Sequence, residues 1–290
     1  MVGDSEAKRL QELLESMEKS IGKELTAAQR ALVEKLNDAI TRTASGGKIP
    51  KGTNLNKILE KGFAEFQNDE LTKVVKVLIE RLVTIMDAGQ TYMAVVTGKE
   101  VGDGGKFEIL KRLGVEATGR TYKIVAGGYL ETMIYSPDVL SDVKRITINT
   151  VFGDVELTTL NKQVKDIIQG ASGTEGKLEK YFKTFAYDVL QRASRLQTYT
   201  IAKQVKLAAA LYSGTVIETT RPFCKDKVGE VFTIDEIMAW AEEDFAGKPK
   251  ENYDPLTQLG GHNCRHTLRW VTQQEAVRRR PELESYFKNK

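Results

Sequence analysis

The sequence predicts a mainly α protein, an elongated helical body carrying a small C-terminal α+β module. Apolar residues recur at intervals of three and four through most of the chain up to Tyr212, the spacing of a helix with one buried face. The whole chain holds only six prolines, which suits long helices better than a loop-rich β-sandwich. After Gly214 the pattern changes to short β-branched and alternating runs, the signature of strands. The expected divisions are an N-terminal helical hairpin over 1–45, a helical body over 46–213 ending in a long helix, and the α+β module over 214–290.

The elements follow in order. Leu10, Leu13, Leu14 and Met17 mark one apolar face, with Glu and Lys on the other. Thr26 reads as the N-cap of a second helix that reaches about Arg42 and turns Ala31, Leu32, Leu36 and Ile40 inward. The run from Ala44 to Gly52, with Gly46, Gly47 and Pro50, is a break. Leu55, Ile58, Leu59 and Phe63 restart the pattern, and Val74, Val75, Val77, Leu78, Leu82 and Ile85 continue it. A glycine-rich break follows at Gly102–Gly105, and Gly114–Gly128 has no clear period.

Pro137 suits the first turn of a helix containing Val139, Leu140, Val143 and Ile146. Gly153-Asp154 opens another, with Leu157, Leu160, Val164, Ile167 and Ile168. A Gly/Ser-rich linker spans Gly170–Gly176. The longest pattern runs from Lys177 to Tyr212; unbroken, it would extend roughly 54 Å at about 1.5 Å per residue. Beyond it, Thr215–Thr220 reads as a strand. Thr233 caps a helix over Ile234–Asp244, with Glu236 at the capping-box position. Asn263–Val271 alternates as a strand.

Charge and composition exclude several classes. The net charge is +3, from 43 basic and 40 acidic residues, so no strong electrostatic footprint for nucleic acid is present. No apolar run approaches the roughly 20 residues that span a bilayer, so no membrane partner is expected. Met1–Leu25 is charged and amphipathic without an apolar core, unlike a signal peptide, and synthesis in a cytoplasm is expected. Gly102–Lys106 lacks the spacing and the Ser or Thr of a phosphate-binding loop. Arg278-Arg279-Arg280 reads as a solvated helix end, and Trp240 and Phe245 as core.

The chemistry lies near the C-terminus. Both cysteines, Cys224 and Cys264, and both histidines, His262 and His266, fall within residues 224–266. In a strand, positions 262, 264 and 266 would share a face at intervals of roughly 7 Å. Thiolate and imidazole are the ligands zinc prefers, and Cys₂His₂ is a standard tetrahedral structural set. The spacing contains no CxxC knuckle. A structural zinc, a Cys224–Cys264 disulfide, plain buried residues and a Cys nucleophile with a His base all stay open on the sequence. Arg221 and Arg265 are candidate anion binders, with salt bridges to Glu218, Asp226 or Glu230 as the commoner outcome.

Five segments over Thr219–Val271 resemble the C-terminal domain of Mu F-like phage minor head proteins. They are Thr220–Cys224 (the "RPFC" segment), Gly229–Thr233, Glu236-Ile237 with Trp240, Phe245 with Gly247-Lys248, and Gly260–His266 (a "GG-x-NCRH" segment). His262 stands where that family usually carries an aromatic residue, which points to Cys224, Cys264 and His266 as the core set. Glu230 stands where Lys is common, which weakens an anion-binding role there. The resemblance implies a virion structural protein acting in head morphogenesis or DNA delivery, at or near the portal and neck or inside the capsid. The implied partners are portal, capsid or neck proteins, further copies of the chain, and packaged DNA. The competing expectation is a zinc-dependent hydrolase or nuclease built on the Cys/His cluster, although no HExxH or comparable acid–histidine pair is present.

Overall fold

A computed structural model describes residues 3–50, 53–66, 72–118, 121–125, 128, 130, 140–146, 156–171 and 173–288. The chain is mainly helical. In order, it forms α1 (Asp4–Thr41), α2 (Leu55–Phe66), α3 (Thr72–Thr97), α4 (Lys106–Arg112), the hairpin β1 (Val115–Thr118) and β2 (Thr121–Ile124), and α5 (Leu157–Gln169). The two-residue strands β3 (Gly170–Ala171) and β4 (Thr174–Glu175) lead into α6 (Lys177–Gln204). The remainder is β5 (Ala209–Ser213), α7 (Pro222–Lys225), β6 (Val231–Thr233), α8 (Ile234–Ala239), α9 (Pro255–Gln258), β7 (Thr267–Val271), α10 (Gln273–Arg279) and α11 (Leu283–Lys288). The expected helix start at Pro137 and the Gly153-Asp154 opening lie outside the described residues, although 140–146 and α5 are helical.

The chain divides into two compact units. One gathers Met1–Ser16, Arg81–Lys111 and Tyr187–Lys290; the other gathers Met17–Glu80 and Arg112–Ala186. In the second unit, Leu25, Leu32, Leu36 and Ile40 of α1 are buried, as are Leu59 and Phe63 of α2 and Leu160, Val164 and Ile168 of α5. Gln29, buried in α1, donates from Nε2 to the Ile168 carbonyl at 3.3 Å. This core uses the apolar positions that the helical period selects. Among the described residues no helix is long and apolar enough to cross a membrane.

Two helix boundaries differ from expectation. The N-terminal hairpin is one continuous helix, α1. Thr26 does not cap a second helix; its Oγ1 donates to the Gly22 carbonyl at 2.9 Å, the i−4 bond that lets a hydroxyl residue sit inside a helix. The long helix ends at Gln204, short of Tyr212. Lys206 takes a left-handed φ of +59°, its N–H donates to Lys203 O at 3.2 Å, and the Leu207 N–H reaches Ala202 O at 2.8 Å. That is a Schellman closure, with lysine where glycine is usual.

Residues 209–213 therefore form a strand, the central one of the antiparallel sheet β6-β5-β7. Its register pairs Ala210 with Phe232 on one side and with Trp270 on the other. Side chains alternate across it. Ala209 and Leu211 join Val231, Val271, Ala276 and Leu283 in a core under α10 and α11. Thr215–Thr220, expected as a strand, is irregular, and the last strand starts at Thr267 instead of Asn263.

Candidate metal centre

Tyr212, on the other face of β5 from Leu211, points to the chemistry. Each of the elements around it is locally determined. Pro222 starts the single turn of α7 at its first position, where the missing N–H costs nothing. That turn buries Phe223 and Cys224 together. Thr233 and Glu236 form the expected capping box at α8. The short helix delivers Trp240, which packs edge-on against Tyr212 at 5.7 Å, Phe223 at 5.6 Å and Phe232 at 5.1 Å between ring centroids. Phe223 in turn stacks on Phe245 at 4.0 Å.

Cys264 and His266 arrive on the segment before β7. Gly261 has φ +83°, and Asn263 has φ +57°. A Cβ at 261 would lie 2.0 Å from Gly247 O, so this turn needs glycine on both counts. Asp188 Oδ1 accepts the Asn263 N–H at 2.9 Å and holds the turn. Burial raises the Asp188 carboxyl above its ordinary range, against the Asn263 N–H and the charges of Arg195, His262 and Arg192.

The turn breaks the strand alternation that would have put His262 beside Cys264. His262 is exposed, and its backbone serves instead: its N–H donates to Gly247 O at 3.0 Å and its carbonyl accepts from Arg221 Nη2 at 2.6 Å. Cys224, Cys264 and His266 converge, with their ligand atoms all within 4.8 Å of one another. Exposures of 2%, 2% and 4% seal them from solvent. Both cysteines are free thiols. Cys264 Sγ lies 3.7 Å from His266 Nδ1. Tyr212 Oη donates to Cys224 Sγ at 3.3 Å and lies 3.8 Å from Cys264 Sγ, while its ring stacks on the His266 imidazole at 5.3 Å.

Charge is divided unequally between the sulfurs. The Cys224 S–H, His266 and the Arg195 charge favour a Cys264 thiolate and hold that group well below its ordinary range. The bond to Cys264, with burial, pushes the Cys224 thiol up. Burial and the two sulfurs push the Tyr212 phenol up as well. Arg195, only 4% exposed, binds three carbonyls: Thr257 at 2.8 Å, and Cys264 and His266 at 2.6 Å each. It thereby fixes the backbone on both sides of residue 265.

The arginines expected to bind anions have other roles. Arg221 donates to the Gly260 and His262 carbonyls, and Arg265 lies over the Tyr187 ring at 5.0 Å. The run 278–280 is more than a solvated end. Arg278 and Arg279 pair with Glu275, while Arg280 binds both oxygens of Glu236 at 3.0 Å and Val231 O at 2.7 Å. Sequence reasoning missed Tyr212 and Arg195. A strand reading of Ala209–Ser213 would have placed Tyr212; nothing in the pattern around Arg195 distinguishes it from a surface arginine on a helix.

The chain matches no family model, no curated protein and no solved structure. The donor set of two sulfurs and one imidazole suits a thiophilic metal, and Cys224, Cys264 and His266 are the residues that would hold it.

Proposed function

We propose that this protein is a virion component of a tailed phage, a minor head protein acting at or near the portal and neck or inside the capsid. The observation that carries the reading is convergence. The five segments that resemble the Mu F-like domain, separated along the chain, meet around one nucleus. Arg221 ties the first to the last through the Gly260 and His262 carbonyls. Phe223 packs on both Trp240 and Phe245, and Cys224 meets Cys264 and His266. Such a module is a rigid docking unit, and its partners are portal, capsid or neck proteins and further copies of the chain. Packaged DNA is a weaker candidate partner, since a net charge of +3 neutralises few phosphates.

The competing reading, a zinc-dependent hydrolase or nuclease, is disfavoured by burial. A catalytic zinc keeps an open position for water and substrate, whereas these three side chains are enclosed. Quantitative mass spectrometry of purified particles tests the proposal. The protein should be present in far fewer copies than the major capsid protein. Absence from particles, or a copy number equal to that of the major capsid protein, refutes it.

A further inference from the structure

We propose that Cys224, Cys264, His266 and Tyr212 form a buried tetrahedral site for one zinc ion, with the tyrosine oxygen at the fourth corner and His262 excluded. The inference rests on geometry and is independent of where the protein resides.

Zinc binds sulfur at about 2.3 Å and nitrogen or oxygen at about 2.0–2.2 Å. At tetrahedral angles those bonds put sulfur about 3.6 Å from nitrogen and about 3.5 Å from oxygen. The corresponding separations here are 3.7 Å from Cys264 Sγ to His266 Nδ1, and 3.3 and 3.8 Å from Tyr212 Oη to the two sulfurs. The fourth donor is therefore already at the distance the ion requires. The tyrosine oxygen carried by β5 thus lies beside both sulfurs, which α7 and the 264–266 segment supply.

The surroundings hold that arrangement in place. Tyr212 is fixed in the central strand, paired with Leu268 of β7, and stacked on the imidazole. Arg195 pins the carbonyls on both sides of residue 265. Gly260 lies against both sulfurs, where a Cβ would come within 2.3 Å of Cys224 Sγ and 3.2 Å of Cys264 Sγ. His266 turns Nδ1 toward Cys264 Sγ, so that is the ring nitrogen that would face the ion. The ion takes both cysteines as thiolates, with any remaining thiol proton released to water, while Tyr212 keeps its proton; the two thiolates neutralise the dication. Enclosure makes the site structural, filled as the module folds.

The test uses the full chain, purified from zinc-supplemented culture. Elemental analysis should give one zinc per chain, unchanged in His262→Ala. Cobalt(II) in place of zinc should give the intense visible bands of a tetrahedral site and a thiolate charge-transfer band. Tyr212→Phe removes only the oxygen and preserves the packed ring. It should shift the cobalt bands and weaken zinc binding by at least the roughly 10–100-fold that loss of an outer-shell partner costs. Cys224→Ser and Cys264→Ser should each abolish the charge-transfer band or halve it; a variant that does not fold leaves the wild-type cobalt spectrum as the deciding measurement. Metal-free protein with two titratable thiols, or with a Cys224–Cys264 disulfide in the mass spectrum, overturns the site. Loss of zinc in His262→Ala, or a Tyr212→Phe cobalt spectrum identical to wild type, overturns the ligand assignment.

Discussion

A methyl group at position 260 would sit 2.3 Å from Cys224 Sγ and 3.2 Å from Cys264 Sγ, both on buried side chains. Gly260→Ala should therefore lower the stability of the module by about 1–3 kcal/mol, the usual cost of overpacking, read as a fall in the thermal midpoint. A midpoint equal to wild type would mean that the cluster is looser than described. Arg195 is the second sensitive residue. Arg195→Met strands three buried carbonyls and should cost about 3 kcal/mol or more in denaturant titration. Arg195→Lys should recover only part of that, because one ammonium cannot span acceptors that a planar guanidinium fork reaches together. At this scale the sequence was legible where residue type is chemically distinctive. Cysteine and histidine marked the cluster by identity alone. His262 was misplaced because the alternation that grouped it with Cys264 assumes an unbroken strand, and Gly261 and Asn263 reverse the backbone there. The role of Arg195 was invisible because burial of a helical arginine depends on what packs over it.

The helices were legible from their period, and their ends were less so. Leu207 to Tyr212 continues the three-and-four spacing of α6, so only the backbone reversal at Lys206 separates helix from strand. A lysine at that position carries no glycine signal. The capping box at α8 was readable because Thr233 and Glu236 stand at the required interval. Its further use was not: Glu236 also anchors Arg280 of the C-terminal segment. Burial alone would raise the Glu236 carboxyl, but Arg280 and Thr233 outweigh it and hold the group below its ordinary 4.5. A depressed carboxyl stabilises the fold above its unfolded value, and that contribution fades as pH falls through the folded one. Arg280→Met should therefore lower the thermal midpoint most near neutrality and less once the pH drops below about 4.5. The residual effect is the lost bond to Val231 O, which does not titrate. A mutant-to-wild-type difference that is flat with pH would remove Glu236 from the account.

At the scale of the molecule, composition and period predicted a mainly α chain with a small α+β region, and that is the structure. The way the units are assembled was not legible, since no local pattern records which distant segments meet. The boundary expected at Gly214 separates β6 and β7 from β5, the strand on which both pair. A fragment of residues 214–290 should therefore lack a cooperative thermal transition, whereas the full chain has one; a sharp transition in the fragment would show that β5 is dispensable. The unit holding the Cys224, Cys264 and His266 cluster draws on segments far apart in the sequence, and Asp4 pairs with Arg269. On the ribosome this unit must wait until its core residue Leu283 has been made, while the other unit has every residue it needs once Ala186 has emerged. Translation thus imposes an order on assembly: residues 17–80 and 112–186 are all available before α6 is complete, and the cysteine module can form only after them.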